Sequence, residues 1–264
     1  MGHFVPHTDV EIAQMLDFLG LPCLDDLFAV VPEALRLVST AAGTTTPRYL
    51  DLEDGLSEPD VLAASRRLAR ANAWGDELVC FAGGGAYDHE VPAAVRRLAF
   101  RSEFVTAYTP YQPEVAQGVL QALFEYQTMV ARLAGVAIAN ASLYDGASAC
   151  VEAVNLAVAA TGRSTVWVST GLNPAWRAVV RTFAAGTGHD IVELPMPDGV
   201  TTLPDTGEPA AILVQHPNYL GCLEDLAMAR AAATRSGAML LVAFDPVAAG
   251  LLRSPGSYGA DVVV

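Results

Sequence analysis

From Thr165 to Val264 short apolar runs alternate with helical stretches, and that rhythm restricts the fold more than any other feature of the sequence. Thr165–Val168, Ile191–Leu194, Ala211–Val214, Met239–Phe244 and Ala260–Val264 read as strands. Between them, Pro174 to Ala184 and Glu224 to Ser236 read as helices, and Pro195 to Pro209 is a Pro/Gly-rich connection. Strands that are apolar along their whole length and separated by helices belong to a mostly parallel sheet covered on both faces. Ligands in such sheets gather at the C-terminal ends of the strands. The loops after Val168, Val214 and Phe244, with the loop after a further run at Val136–Ala139, are therefore expected to share one rim. The last run closes the sequence with nothing to cover it, so a fragment of a longer domain is expected.

A second organised stretch runs from Glu103 to Glu152. It begins with Tyr108, Thr109, Pro110, Tyr111, Gln112 and Pro113. Proline fixes φ and pushes the residue before it to extended geometry, so this is a stiff, extended loop carrying aromatic and amide groups. Glu114 then opens a helix, with Val119, Leu120, Leu123, Phe124, Met129, Val130 and Leu133 near helical spacing and Gly135 as its stop. Val136–Ala139 reads as a buried strand. Asp145, Gly146, Ala147, Ser148 and Ala149 open the next helix, and two readings of that loop stand side by side. Small residues there permit close packing, or they let backbone N–H groups cup an anion such as a phosphate.

The N-terminal part is helical. Thr8 to Glu11 fits a capping box, and its helix carries Ile12, Met15, Leu16 and Leu19 to a stop at Gly20. A short helix starts at Asp25 or Asp26 and precedes Pro32. Ser39 to Leu50 is a Thr/Gly/Pro-rich linker, which makes 1–50 an extension and 51–264 the main domain. Ser57 to Asp60 starts a helix that runs to about Ala73, and Leu78–Phe81 is a short strand or extended segment. Gly83, Gly84 and Gly85 follow, but their spacing is not that of a dinucleotide loop and Pro92 stands where its helix would begin. The run is a turn into a helix near Pro92 to Leu98, or it presents Tyr87, Asp88 and His89 to a cleft.

Composition removes whole classes of function. A chain of 264 residues that is 52% hydrophobic is sufficient for a large core. A net charge of −14 repels nucleic acid and anionic lipid. All 15 Lys+Arg residues are arginine, so no residue of this sequence forms a Schiff base with a cofactor aldehyde. Cys23, Cys80, Cys150 and Cys222 lie far apart, without zinc spacing, and read as buried, reduced thiols. The five histidines form no metal motif. No run reaches the roughly 18 apolar residues of a membrane span and no signal-peptide pattern opens the chain, so a cytoplasmic protein is expected.

AYTPYQPEVAQG, LFEYQTMVARLAG, YDGASACVEA, VQHPNYLG and DPVAAGLLRSPGSYGAD, with GGGAYDHEVP and TDVEIAQMLDFLG, resemble the alpha subunit (subunit 1) of glycine dehydrogenase (decarboxylating), the P-protein of the glycine cleavage system. The resemblance spans nearly the whole sequence. It implies the α/β fold of type I pyridoxal phosphate (PLP) enzymes, aspartate-aminotransferase-like: a large domain with a mostly parallel sheet, a helical N-terminal extension, and a small C-terminal domain missing here. It implies an oxidoreductase, active as a heterotetramer with a beta subunit that carries the PLP and its lysine. The implied substrate is glycine, and the aminomethyl group passes to the lipoyl arm of the H-protein. Carried over to this sequence, Gly146, Ala147 and Ser148 match the phosphate cup as a relic, and Asp245 matches the carboxylate that pairs with the pyridinium nitrogen. Pro246 departs from the pattern, which has a small residue there. Tyr108, Thr109, Tyr111, Gln112 and Glu114, with Tyr87 and His89, are the residues expected to line the partner's site or the interface. Two other readings remain at this stage: a self-sufficient PLP enzyme with its lysine beyond Val264, and a non-catalytic scaffold.

Overall fold

The computed structural model describes residues 7–35, 55–73, 78, 79, 81, 87–105 and 109–264. The linker at 39–50, the glycines at 83–85, Cys80 and Tyr108 lie outside the described residues. The chain divides into two compact units, Met1–Val79 and Cys80–Val264.

In the first unit, α1 spans Asp9–Leu19. Its capping box is formed as the sequence requires: Thr8 Oγ1 accepts from the Glu11 N–H at 3.3 Å, and the Glu11 carboxylate accepts from the Thr8 N–H at 2.7 Å. Short 3₁₀ turns cover Leu24–Phe28 and Glu33–Leu35, and α2 spans Glu58–Ala71 behind the Ser57 cap. Cys23 is exposed rather than buried, because it sits at the start of the first 3₁₀ turn with its Sγ 3.2 Å from the Asp26 carboxylate.

In the second unit, α3 (Ala93–Ala99), α4 (Ser102–Val105) and α5 (Gln117–Ala134) precede α6 (Gly146–Thr161). Then follow β1 (Thr165–Ser169), α7 (Pro174–Thr187), β2 (Asp190–Leu194), β3 (Ala211–His216), α8 (Leu226–Ser236), β4 (Met239–Phe244) and β5 (Val262–Val263). The five strands form one sheet in the order β2-β1-β3-β4-β5, every pair parallel.

Because side chains alternate along a strand, fully apolar strands supply a core to each face. Val166, Val168, Leu213, Leu241 and Ala243 face one side and pack with Cys150, Val151, Val154 and Ala157 of α6 and Val180 of α7. Trp167, Ile212, Val214, Leu240 and Val242 face the other and pack with Leu226, Ala229, Ala232 and Ala233 of α8. The expected doubly covered parallel sheet is therefore present, and the strand limits shift by one or two residues.

Two expected elements differ. Val136–Ala139 is not a strand: Ile138 is 85% exposed, and the segment is held to the end of α5 by Val136 N–H to Ala131 O (2.9 Å) and Gln127 Nε2 to Ala139 O (2.6 Å). A short apolar run does not distinguish a strand from a helix-end return, and here the turn at Gly135 (φ 75°) decides for the return. The helix expected from Glu114 begins at Gln117, because Val115 and Ala116 first form turns onto Gln112 and Pro113. Leu78, Val79 and Phe81 lie in no strand.

Arg163 ties the N-terminal edge of the sheet together. Its Nη1 donates to the carbonyls of Pro209 (3.1 Å), Ser236 (2.8 Å) and Gly237 (3.3 Å), two of which are at the open end of α8. Arg163→Ala leaves these carbonyls without a charged donor and is expected to cost about 2 kcal/mol of stability. Arg163→Lys is expected to recover only part of that loss, since a point charge does not reproduce the guanidinium fork. Urea unfolding midpoints of the three proteins check this.

Candidate functional site

The C-terminal ends of β1, β3 and β4 converge on a half-open pocket of about 410 Å³. The loop after β1 brings Asn173 and, one turn into α7, Trp176. The end of β3 and its loop bring Gln215 and Tyr219. β4 ends in Ala243 and Phe244 and delivers Asp245 and Pro246, and Tyr87 and His89 close the remaining side. A second hollow of about 500 Å³ lies on the first unit, but it is an open face lined by His7 and one side of α1, with no convergent chemistry. The strand-end pocket is the candidate site.

Its polar groups are individually oriented. The Asn173 N–H donates to Gln215 Oε1 at 2.8 Å, while Asn173 Oδ1 caps α7 through the Ala175 N–H at 2.9 Å. Asp245 Oδ1 accepts from the Val247 N–H at 2.9 Å and starts the 3₁₀ turn Pro246–Gly250. His89 Nδ1 lies 2.9 Å from the Tyr87 carbonyl, which can only accept, so Nδ1 is the donor in that bond.

Behind the pocket a buried polar lock joins the loops. Glu224, 6% exposed, accepts at 2.9 Å from the Thr201 N–H, the Thr201 hydroxyl and Asn218 Nδ2. Asn218, 2% exposed, also donates to Gly199 O and accepts from the Leu220 and Cys222 N–H groups. Ser169 Oγ sits 2.6 Å from Thr201 Oγ1 and accepts from the Gly171 N–H, and Gly171 O accepts from the Tyr219 N–H. The loops after β1 and β3 and the β2–β3 connection are thus one hydrogen-bonded body. None of these lock residues was singled out from sequence, because buried network residues carry no local signal. Asn173, Trp176, Gln215 and Tyr219 were not named as site residues either, although they occupy the rim the strand pattern pointed to.

At the start of α6 the described residues do not fit the phosphate of PLP. None of the 264 residues is a lysine. The N-terminus of α6, the expected phosphate cup, is already engaged: Asp145 Oδ1 accepts from the Ser148 N–H at 2.8 Å. A carboxylate in that position repels a phosphate that would seek the same N–H groups. Trp176 lies over the cup as well. A Cβ on Gly146 would come within 2.3 Å of its ring, so the small residue is required for packing against indole. Gly146, Ala147 and Ser148 consequently do not line the pocket, while Trp176 does. Among the described residues no group of three or more His, Cys, Asp or Glu side chains could hold a metal, and no helix is long and apolar enough to cross a membrane.

Of the residues named from sequence, Tyr87, His89 and Asp245 are brought together in the pocket. Thr109, Tyr111, Gln112 and Glu114 lie on an exposed loop, with Tyr111 85% exposed, and do not line it. The loop after Ala139 does not contribute to the rim.

The family model described as "Glycine cleavage system P-protein" matches residues 2–264. A protein of Desulforamulus reducens named "Probable glycine dehydrogenase (decarboxylating) subunit 1" is 47% identical over 99% of this chain and 58% of its own length. A crystal structure of glycine decarboxylase (P-protein) of the glycine cleavage system, in inhibitor-bound form, is 48% identical with a TM-score of 0.83, over 99% of this chain and 57% of that one. A sphingosine-1-phosphate lyase from Burkholderia pseudomallei, 17% identical with a TM-score of 0.53 over 73% of this chain and 48% of its own, shares the fold. The architecture is therefore the α/β fold of PLP enzymes, and the chain spans somewhat over half the length of the relatives it matches.

Two measurements probe the lock and the wall beside it. Glu224→Ala strands the Thr201 and Asn218 donors in the interior and is expected to cost about 3 kcal/mol in urea unfolding. His216, 6% exposed and stacked on Phe244, has no partner for Nδ1, and burial lowers its pKa despite the opposing charge of Glu224. The unfolded chain then takes up a proton that the folded chain refuses. This contribution to stability is present above the unfolded value of about 6.5 and is lost as pH falls below it. The fall in stability between about pH 7 and pH 5.5 is expected to be shallower in His216→Gln than in the parent.

Proposed function

The chain belongs to the glycine cleavage system P-protein family, and from that premise we propose that it is the alpha subunit of a glycine decarboxylase whose cofactor is held by another chain. In this reading a beta subunit supplies the PLP and its lysine, and the two chains form a cytoplasmic heterotetramer. Together they decarboxylate glycine and pass the aminomethyl group to the lipoyl arm of the H-protein.

One observation supports this reading: the strand-end rim is built, while Asp145 caps the start of α6 and the Trp176 ring fills the space above Gly146, where a cofactor phosphate was expected. A rim kept in order by a buried lock, yet unsuited to the cofactor, supports a role in shaping an assembly. The segment from Tyr108 to Glu114, exposed from Thr109 on except at Pro110, is proposed to reach the partner's site or line its channel. Prolines at 110 and 113 keep that loop stiff, and Tyr111 presents an aromatic face with a hydroxyl tip. Tyr87 and His89 are proposed to stay in this chain's own pocket.

The reading predicts that the purified chain alone gives no glycine-dependent CO2 exchange, that it co-purifies with the beta subunit, and that the mixture is active. Tyr111→Ala and Gln112→Ala are expected to lower turnover about tenfold or more while leaving co-purification intact, since misplacing a positioning group costs rate rather than assembly. Turnover by the chain alone, or a folded chain that does not join a competent beta subunit, would overturn the reading.

A further inference from the structure

Where the three loops of the buried lock meet, one sulfur atom sits among the oxygens. Met196 follows β2 by two residues and places its Sδ 3.3 Å from Asn218 Nδ2. The same nitrogen donates to Gly199 O at 2.8 Å and to Glu224 Oε1 at 2.9 Å. An amide nitrogen has two hydrogens, so the two oxygens use them and the thioether is a weak third acceptor. The sulfur also lies against the loop after β1, since a Cβ on Gly171 would come within 2.9 Å of it. Gly171 is itself bonded to Ser169 and Tyr219. One side chain thus touches the β2–β3 connection, the loop after β1 and the loop after β3.

A thioether suits that junction because it is soft, nearly apolar and needs no hydrogen. A sulfoxide does not suit it. Its oxygen is a strong acceptor, and Asn218 has no third N–H to give. It therefore competes with Glu224 for a donor that the buried carboxylate requires. The added oxygen also enlarges a group already set against the Gly171 backbone. We propose that Met196 makes the lock redox-sensitive: oxidation of its sulfur draws Asn218 away from Glu224 and loosens the rim, and reduction restores it. Hydrogen peroxide is the oxidant. The sulfur loses two electrons and gains an S–O bond, the O–O bond breaks, and the second oxygen leaves with both protons as water. The proposal does not depend on which chain holds the cofactor.

The purified protein is treated with hydrogen peroxide, oxidation at each methionine is read by peptide mass spectrometry, and stability is read by urea unfolding. As Met196 gains its oxygen, the unfolding constant at fixed urea is expected to rise at least about tenfold. The two methionine sulfoxide reductases, one for each epimer, are expected to reverse the change. Met196→Leu conserves volume and removes the sulfur. It is expected to keep its midpoint through the same treatment, although the exposed Met15, Met129 and Met228 still oxidise. Cys222→Ser, which replaces the sulfur packed on Gly199, is expected to stay as sensitive as the parent. Following the midpoint against sulfoxide content at Met196 and at the other methionines reads the same link without any substitution. Complete oxidation of Met196 with an unchanged midpoint would overturn the proposal. So would an equal loss of stability in Met196→Leu, protection by Cys222→Ser, or a Met196 that stays reduced while the other methionines react.

Discussion

Everything at the strand-end rim depends on the buried carboxylate of Glu224. A carboxylate removed from water is tolerated only when its lone pairs are filled, and here Thr201 and Asn218 fill them with three donors. That requirement brings the β2–β3 connection against the loop after β3. Ser169 and Gly171 extend the same bonding to the loop after β1. Loops at the end of a sheet have few apolar contacts of their own, so polar satisfaction determines their shape. The parallel sheet decides where the rim is; the lock decides which side chains stand on it.

The cup at the start of α6 illustrates how a local pattern can support two chemistries. Free N–H groups at a helix start and small residues beside them suit a bound anion. They suit an aspartate at the cap equally well, because its carboxylate is such an anion supplied by the chain itself. In this protein the Asp145 cap is made, and the space above Gly146 is filled by indole. The place of Asp245 has a comparable local account: its oxygen caps a turn whether or not a pyridinium is present. Neither residue needs a cofactor to justify its position.

How much of this was legible in the sequence follows from the range of the forces involved. The sheet was legible, since Ala211–Val214 and Met239–Phe244 are apolar at every position and only a doubly covered strand requires that. The Thr8 capping box was legible because all its partners lie within one turn. Val136–Ala139 was misread because a short apolar run lacks a period, and what places it is a glutamine side chain twelve residues away. The pocket was half legible. Asp245 follows a strand and marks itself, whereas Trp176 is hidden in the amphipathic pattern of α7. Glu224 read as an ordinary helix start and Asn218 as an ordinary loop residue, since a buried network is defined only by long-range closure.

The apolar core and the strand-end rim are separate, so what folds the sheet is independent of what the rim binds. The stabilising terms lie in the two apolar layers, where Leu213 and Leu241 on one face and Ile212 and Leu240 on the other are fully buried. No rim residue belongs to those layers apart from Ala243, with Phe244 and Trp176 at their margins. Exchanging rim chemistry therefore changes what the site accepts without removing what folds the chain. A phosphate-binding rim needs free N–H groups and positive charge, and this one offers a capped helix, aromatic rings and a carboxylate.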